Sequence, residues 1–254
     1  MREARAEGAA LLEARAVTVR FGGLTAVDEV SARFGAGELV GIIGPNGAGK
    51  TTFFNALSGV AVPTSGDLLV EGVKLTGARP DRFARRGVAR TFQTPRVFAG
   101  LSVADNVDFG LQFAGRKREA PPLLRDARAI LQVIGLAGQA GLPAAAITPS
   151  QQRLLEIGMA LATRPKLLLL DEVAAGLTES EVDDMARLIR GLRDEFGLAV
   201  IWIEHAVTTL MRYVERVLVL HQGRKIADAP PQEVVRSAEV IEAYLGDEMA
   251  EVAQ

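Results

Sequence analysis

Gly44-Pro45-Asn46-Gly47-Ala48-Gly49-Lys50-Thr51-Thr52 fits the spacing G-x-x-x-x-G-K-[ST]. That spacing suits one chemistry, the holding of a polyphosphate. Glycines let the backbone curl so that successive N–H groups converge on phosphate oxygens, and a following helix N-terminus adds partial positive charge. Lys50 then reaches the β- and γ-phosphates, and the Thr51 hydroxyl is placed to ligate the Mg²⁺ that a nucleoside triphosphate carries. The flanks agree: Glu38 to Ile43 reads as a buried parallel strand, and Phe53 to Ser58 as a helix stopped by Gly59.

Other chemistry-bearing residues fall at the ends of apolar runs. Lys166 to Leu170 reads as a buried strand delivering Asp171 and Glu172. Open parallel sheets bind ligands at strand carboxyl ends, so both carboxylates are expected beside the glycine loop. Asp171 suits the outer sphere of Mg²⁺, and Glu172 suits polarising an attacking water. Leu198 to Ile203 delivers Glu204 and His205 to the same edge, where His205 could contact a γ-phosphate or hold a water. Val88 to Gln93 reads as a strand ended by Thr94-Pro95. Gln93 could ligate a metal, order a water, or stand in solvent. Thr148-Pro149-Ser150-Gln151 fits a helix start, with Thr148 as N-cap, Pro149 at N1 and Gln151 closing a capping box; its free N–H groups would suit an anion. Phe21, at a turn, could stack on an adenine or belong to the core.

The elements that must position these residues change texture along the chain. Residues 1–10 read as a loose tail. Leu12 to Val19 and a run ending near Phe34 read as strands joined at Arg20-Phe21-Gly22-Gly23, and Leu68 to Glu71 follows the turn at Pro63 to Asp67. The arginines at 79, 82, 85, 86 and 90 read as a solvated helix face, since Phe83 is the one aromatic among them. Ala104 to Phe113 and Leu123 to Ile134 read as helices, with Arg116-Lys117-Arg118 and Pro121-Pro122 between them. The helix from Thr148 runs to about Thr163. Glu179 to Glu195 is amphipathic, with Val182, Met185, Ile189 and Leu192 on one stripe. His221 falls in a hairpin turn, and Pro231 to Tyr244 reads as a terminal helix.

With 254 residues, 48% hydrophobic and 24% charged, the chain can bury a sizeable core. A formal net charge of −2 gives no electrostatic footprint for nucleic acid. The absence of cysteine rules out disulfides, thiolate metal sites and cysteine nucleophiles. No apolar run approaches the roughly 18 residues that span a bilayer, so if membranes matter a partner chain supplies them.

The order of glycine loop, Gln93, Ser150-Gln151-Gln152-Arg153, Leu167 to Glu172 and His205 resembles the ATP-binding subunits of ABC transporters over nearly the whole chain. The resemblance implies an α/β fold: a P-loop NTPase core with an N-terminal antiparallel β subdomain and an inserted α-helical subdomain. It places the ATPase domain at 11–254, with 11–93 and 164–254 as nucleotide-binding core and 94–163 as helical subdomain. Phe21 then matches the adenine-stacking aromatic, Gly44 to Thr52 the Walker A loop, Gln93 the Q-loop and Thr148 to Gln151 the signature. Asp171 matches the Walker B aspartate, Glu172 the catalytic glutamate and His205 the switch histidine. ATP and Mg²⁺ are implied as cofactors, with Thr51, Gln93 and Asp171 around the metal.

In that family two subunits pair head to tail, so that the signature of one, here Thr148, Ser150 and Gln151, closes over nucleotide on the other's P-loop. The second subunit is implied as an identical or different copy. Arg96-Val97-Phe98 is implied to pass movement to permease subunits, which puts the chain on the cytoplasmic side of the plasma membrane, with a substrate-binding protein on the far side. Arg20 to Leu24, Ala89 to Gln93, Leu155 to Met159, Ile203-Glu204-His205 and Val240 to Gly246 look like the branched-chain amino-acid importers, with urea and other amide importers similar.

The sequence departs from the family pattern in several places. The family signature Leu-Ser-Gly-Gly-Gln is here Ile147-Thr148-Pro149-Ser150-Gln151, so Pro149 lacks an N–H and Ser150 puts a Cβ where glycine lets backbone approach the γ-phosphate. Val173 replaces a common proline, and Thr178 a common aspartate. Two other functions are weighed beside the importer ATPase: a nucleotide-gated subunit that barely hydrolyses, motivated by Pro149 and Ser150, and a soluble ATPase acting on nucleic acid or ribosomes, disfavoured by the acidic balance.

Overall fold

A computed structural model describes residues 10–113, 124–204 and 207–244. In chain order, β1 (Leu12–Phe21) and β2 (Leu24–Phe34) form a hairpin, and β3 (Leu39–Ile43) runs into α1 (Lys50–Leu57). β4 (Ser65–Val70), β5 (Val73–Lys74), α2 (Pro80–Arg85) and β6 (Val88–Arg90) follow. Then come α3 (Val103–Gln112), α4 (Ala127–Val133) and α5 (Pro149–Ala162), before β7 (Leu167–Asp171), α6 (Glu179–Phe196) and β8 (Ala199–Ile203). The described chain closes with α7 (Val207–Tyr213), β9 (Arg216–His221), β10 (Arg224–Ala229) and α8 (Pro231–Val234).

Two sheets result. The antiparallel one has the order β2-β1-β4-β5, and the other has the order β10-β9-β3-β8-β7-β6, parallel except where β10 meets β9. Every residue of β3, β7 and β8 is buried, as a strand covered on both faces requires. Period-two alternation then splits them between two cores. Val40, Ile42, Leu167, Leu169, Ile201 and Ile203 face one core with Phe53, Phe54 and Leu57 of α1 and the antiparallel sheet. Leu39, Ile43, Leu168, Leu170, Val200 and Trp202 face the other with α3, α4, α5 and α6. Because β3, β7 and β8 are mutually parallel, their carboxyl ends meet at one edge.

Several boundaries differ from the sequence reading. α1 starts at Lys50, one turn before Phe53, so the loop's lysine is itself the first helical residue. α4 starts at Ala127 because Asp126 caps it, accepting from the Ala129 N–H at 2.8 Å. Residues 116–118, 121 and 122 lie outside the described residues, as do 1–9. Strand β6 ends at Arg90 rather than Gln93. Beyond Thr91, whose N–H still donates to the Leu169 carbonyl at 2.9 Å, the amides of Phe92 and Arg96 turn to the Glu156 carboxylate on α5. The stretch from Pro231 is two helical pieces: α8 stops at Val234, and the Ser237 hydroxyl accepts from the Val240 N–H to begin the second. The stripe on α6 is buried as expected, and Thr178 and Glu181 form a capping box at its start.

Candidate nucleotide site

The glycine loop turns between β3 and α1 on backbone that only glycine tolerates at two points. Gly44 has φ 151°, and a Cβ there would lie 2.1 Å from the Leu220 carbonyl oxygen of β9. Gly49 has φ 94°, and a Cβ there would lie 2.3 Å from the Ala26 carbonyl oxygen of β2. Both sheets therefore press on the loop. The turn between β9 and β10 adds to this, with the Gly223 N–H donating to the Ala48 carbonyl and the Asp28 N–H to the Gly223 carbonyl.

The N-terminus of α1 has no side-chain cap and no acid in its first turn. Its first N–H groups have no intrahelical acceptor, which makes the end fit an anion. Lys50 Nζ lies beneath the loop, donating to the Gly44 carbonyl at 2.6 Å and the Pro45 carbonyl at 2.9 Å. Burial pushes its ammonium below the ordinary value, opposed by the charge of Glu172. A cleft of about 620 Å³ opens here, lined by Asn46 to Thr52, Glu172, Ala26, Gln222 and Phe21. Phe21, 57% exposed at the end of β1, is a flat apolar face on the rim of a polar cleft. Its volume falls in the range of small-molecule and nucleotide sites.

The carboxylates behave differently from one another. Glu172 faces the cleft, accepts from Gln93 Nε2 at 2.6 Å, and holds left-handed backbone at φ 50°. Asp171 is not on the cleft wall. Its carboxylate is buried against Arg90, at 3.1 Å from Nη2, while Arg90 Nη1 donates to Asn55 Oδ1 of α1 at 2.8 Å and to Oγ of Ser58, the C-cap of α1, at 2.9 Å. Burial, followed in size by Arg90 acting oppositely and Glu172 acting in the same sense, raises the Asp171 carboxyl above its ordinary value. Arg90 thus ties β6, β7 and α1 together beneath the loop. Glu204, at the end of β8, accepts from Trp202 Nε1 at 3.1 Å and from the Ala174 N–H at 2.6 Å. His205 lies outside the described residues.

Thr148, Ser150 and Gln151 are not on the wall of this cleft. They form the capped start of α5: Thr148 Oγ1 accepts from the Gln151 N–H at 3.2 Å, and Gln151 Oε1 from the Thr148 N–H at 3.0 Å. The cap corrects one expectation. With Pro149 lacking an N–H and the Gln151 amide taken, Ser150 carries the first-turn donor outside the cap. The site thus brings together Phe21, residues 44–52, Glu172 and Gln93, with Asp171 beneath, and leaves the α5 start outside.

Arg90, Arg153 and Glu156 fall in stretches named from the sequence but were given no role at the site. Arg153 donates from Nη1 to the Glu172 carbonyl at 2.8 Å and from Nη2 to the Ala175 carbonyl at 2.9 Å. Glu156 is 6% exposed and accepts from Phe92 N–H at 3.3 Å and Arg96 N–H at 3.0 Å. Burial raises its carboxyl to about 7 against those hydrogen bonds and the charges of Arg153 and Arg96. A lone acid inside Leu154-Leu155-Glu156-Ile157 was the legible sign.

An uncapped helix end behind a glycine loop, with acidic strand ends beside it on a parallel sheet, is the architecture of a P-loop ATPase. The chain belongs to the ABC transporter ATP-binding family: the family's model, described as ABC transporter, matches residues 27–175, and one described as branched-chain amino acid ATP-binding cassette transporter matches residues 224–250. It is 37% identical over 250 residues to the high-affinity branched-chain amino acid transport ATP-binding protein BraF of Pseudomonas aeruginosa, covering 93% of this chain and 98% of that one. It is likewise 37% identical over 251 residues to LivG of Escherichia coli, covering 93% and 98%. Among solved structures it is similar to an ATP-binding cassette of an ABC transporter in its ADP conformation, with TM-score 0.82, 27% identity and coverage of 93% and 99%. A dimeric cassette in a post-hydrolysis state with ADP and Pi matches at TM-score 0.74 and 25% identity, over 87% of this chain and 98% of that one.

Proposed function

We propose that this chain is the ATP-hydrolysing subunit of an importer for branched-chain amino acids or a related amino acid or amide. The observation that carries the reading is the open N-terminus of α1 facing, across one cleft, the carboxylate of Glu172. Backbone amides of residues 46–52 and Lys50 bind and orient the phosphates, and Phe21 supports the base. Glu172 takes the proton of the attacking water, with Gln93 and His205 as its companions at the γ-phosphate. Thr51 and Gln93 would hold Mg²⁺, which neutralises phosphate charge when bound, with Asp171 behind the cleft wall in its outer sphere. The names of BraF and LivG support the cargo class.

The partners follow from what the cleft lacks in one chain. Thr148, Ser150 and Gln151 stand off the cleft, so a second subunit, identical or not, supplies them head to tail; the dimeric cassette with ADP and Pi supports that pairing. Beside the Gln93 segment, Phe98, Phe109 and Phe113 form an exposed aromatic row with ring centroids 4.7 and 5.1 Å apart. With Arg96 and Val97 this row is the docking surface for a helix of a permease subunit. Residues 94–163 would then be the helical subdomain that carries movement, and 11–93 with 164–254 the nucleotide-binding core. No described helix is long and apolar enough to cross a membrane, so attachment is peripheral, through that permease on the cytoplasmic side, with a substrate-binding protein opposite.

The test is Mg²⁺-dependent ATPase activity of the chain alone and co-expressed with its neighbouring membrane subunits, with Glu172→Gln as control. Activity that rises with those subunits and is lost in the variant is expected. No turnover in either setting overturns the motor. The second reading, a nucleotide-gated subunit with little hydrolysis, is favoured by the closed cap at Thr148 and Pro149 and gains its support from that outcome.

A further inference from the structure

Glu172 and Gln93 are held by α5 through two side chains one helical turn apart. Glu172 sits at φ 50°, a left-handed backbone that strains a residue with a Cβ and persists only where neighbours over-determine it. Both of its peptide groups are pinned. Its N–H donates to the Ile203 carbonyl of β8 at 2.9 Å, and its carbonyl accepts from Arg153 Nη1 at 2.8 Å. The second guanidinium arm takes the Ala175 carbonyl at 2.9 Å, so the planar fork spans the loop that follows the carboxylate. Three residues on, Glu156 uses one oxygen for the Phe92 N–H and the other for the Arg96 N–H, bracketing Gln93. Arg153 Nη1 also approaches the Gln93 carbonyl at 3.4 Å. The circuit closes where Gln93 Nε2 donates to Glu172 Oε2 at 2.6 Å.

We infer that Arg153 and Glu156 are positioning residues that make α5, the Gln93 segment and the Glu172 loop one mechanical piece, so the seat of α5 sets where the Glu172 carboxylate points. The inference rests on the proposed ATPase reading for its catalytic consequence. Arg153 and Glu156 grip backbone groups alone, so the coupling follows from their own side chains and not from the identity of the residues they hold. α5 also begins with Thr148, Ser150 and Gln151, so the helix proposed to meet a second subunit also grips the backbone beside Glu172 and Gln93.

The experiment uses the full chain assembled with its membrane subunits and compares Arg153→Lys, Arg153→Met and Glu156→Gln. Expected is a fall in kcat, about tenfold for Glu156→Gln and about 10²-fold for Arg153→Met, with Arg153→Lys between. Affinity for a fluorescent ATP analogue should stay within about twofold, which separates positioning from binding. In a Gln93→Ala background, Glu156→Gln should add less than about twofold, because the two act through one group. A kcat within about twofold of wild type in all three variants overturns the inference, as does a parallel loss of nucleotide affinity. A second readout does not depend on turnover. Hydrogen exchange should rise in 91–97 and in 172–178 together in Arg153→Met, with the fold intact by thermal melt. A change confined to α5 overturns the coupling. Absence of turnover in wild type would instead strike the ATPase reading, and the exchange result would still decide the coupling.

Discussion

Two helix N-termini of this chain, those of α1 and α5, are built in opposite ways. At α1 the preceding residue is Gly49 in left-handed backbone, no side chain caps the end, and Lys50 is the first helical residue. At α5 the Thr148 hydroxyl and the Gln151 side chain close a reciprocal box, and Pro149 has no N–H to offer. A helix end is an anion site only to the extent that its own side chains leave its amides open. α1 can bind phosphate through backbone; α5 offers the Ser150 amide and two hydroxyls that already contact each other at 3.0 Å. What α5 contributes beyond that lies further along, in Arg153 and Glu156.

The comparison is broken most sharply at Glu172, the carboxylate across the cleft from the open end. Glu172→Gln should lower kcat by about 10²- to 10⁴-fold, leave ATP binding intact and trap an ATP-bound dimer, read by steady-state ATPase assay and size-exclusion chromatography. Retained turnover would remove Glu172 as the base. Next in size is opening α5. Replacing Pro149 and Ser150 by glycine should raise kcat about tenfold or more if the missing donor limits turnover, since one such donor is worth about 2.7 to 4 kcal/mol where charge develops. A fall in kcat would show that the closed cap serves the site as it stands.

Smaller effects sharpen the contrast. Burial raises the Glu156 carboxyl from 4.5 to about 7, so the folded state disfavours its charged form. The stability associated with this group is full below its unfolded value and is lost as pH rises through about 7. Urea unfolding across that window should show the loss in the wild-type chain and a flatter profile in Glu156→Gln. Last, Thr148→Ala should cost about 1 kcal/mol by the same assay, because it removes a helix cap, and α1 has no comparable residue to lose.

Several elements were legible because their signals are local. The glycine loop, the Thr148 cap, the buried stripe of α6 and the apolar run into Asp171 each follow from residue type and spacing within one element. Strand β6 was read too long because nothing local in Thr91-Phe92-Gln93 reveals that α5 takes two amides from across the sheet. Arg90 looked like one more member of a solvated basic stretch. In the fold it is partly buried between α1 and Asp171.

Sequence by itself determined the chemistry on offer: a phosphate loop, two acids after a buried strand, a capped helix with a proline where the family has glycine. Those follow from short-range sterics and hydrogen bonding, which a few adjacent residues settle. Only the tertiary structure decided which acid meets the cleft and which is locked beneath it, that the α5 start stands apart from the cleft, and that Arg153 and Glu156 hold the backbone around Glu172 and Gln93. Such contacts join residues 19 positions apart, as between Arg153 and Glu172, to 81 apart, as between Arg90 and Asp171. They exist only once the parallel sheet has brought β6 and β7 side by side, and no spacing along the chain records it.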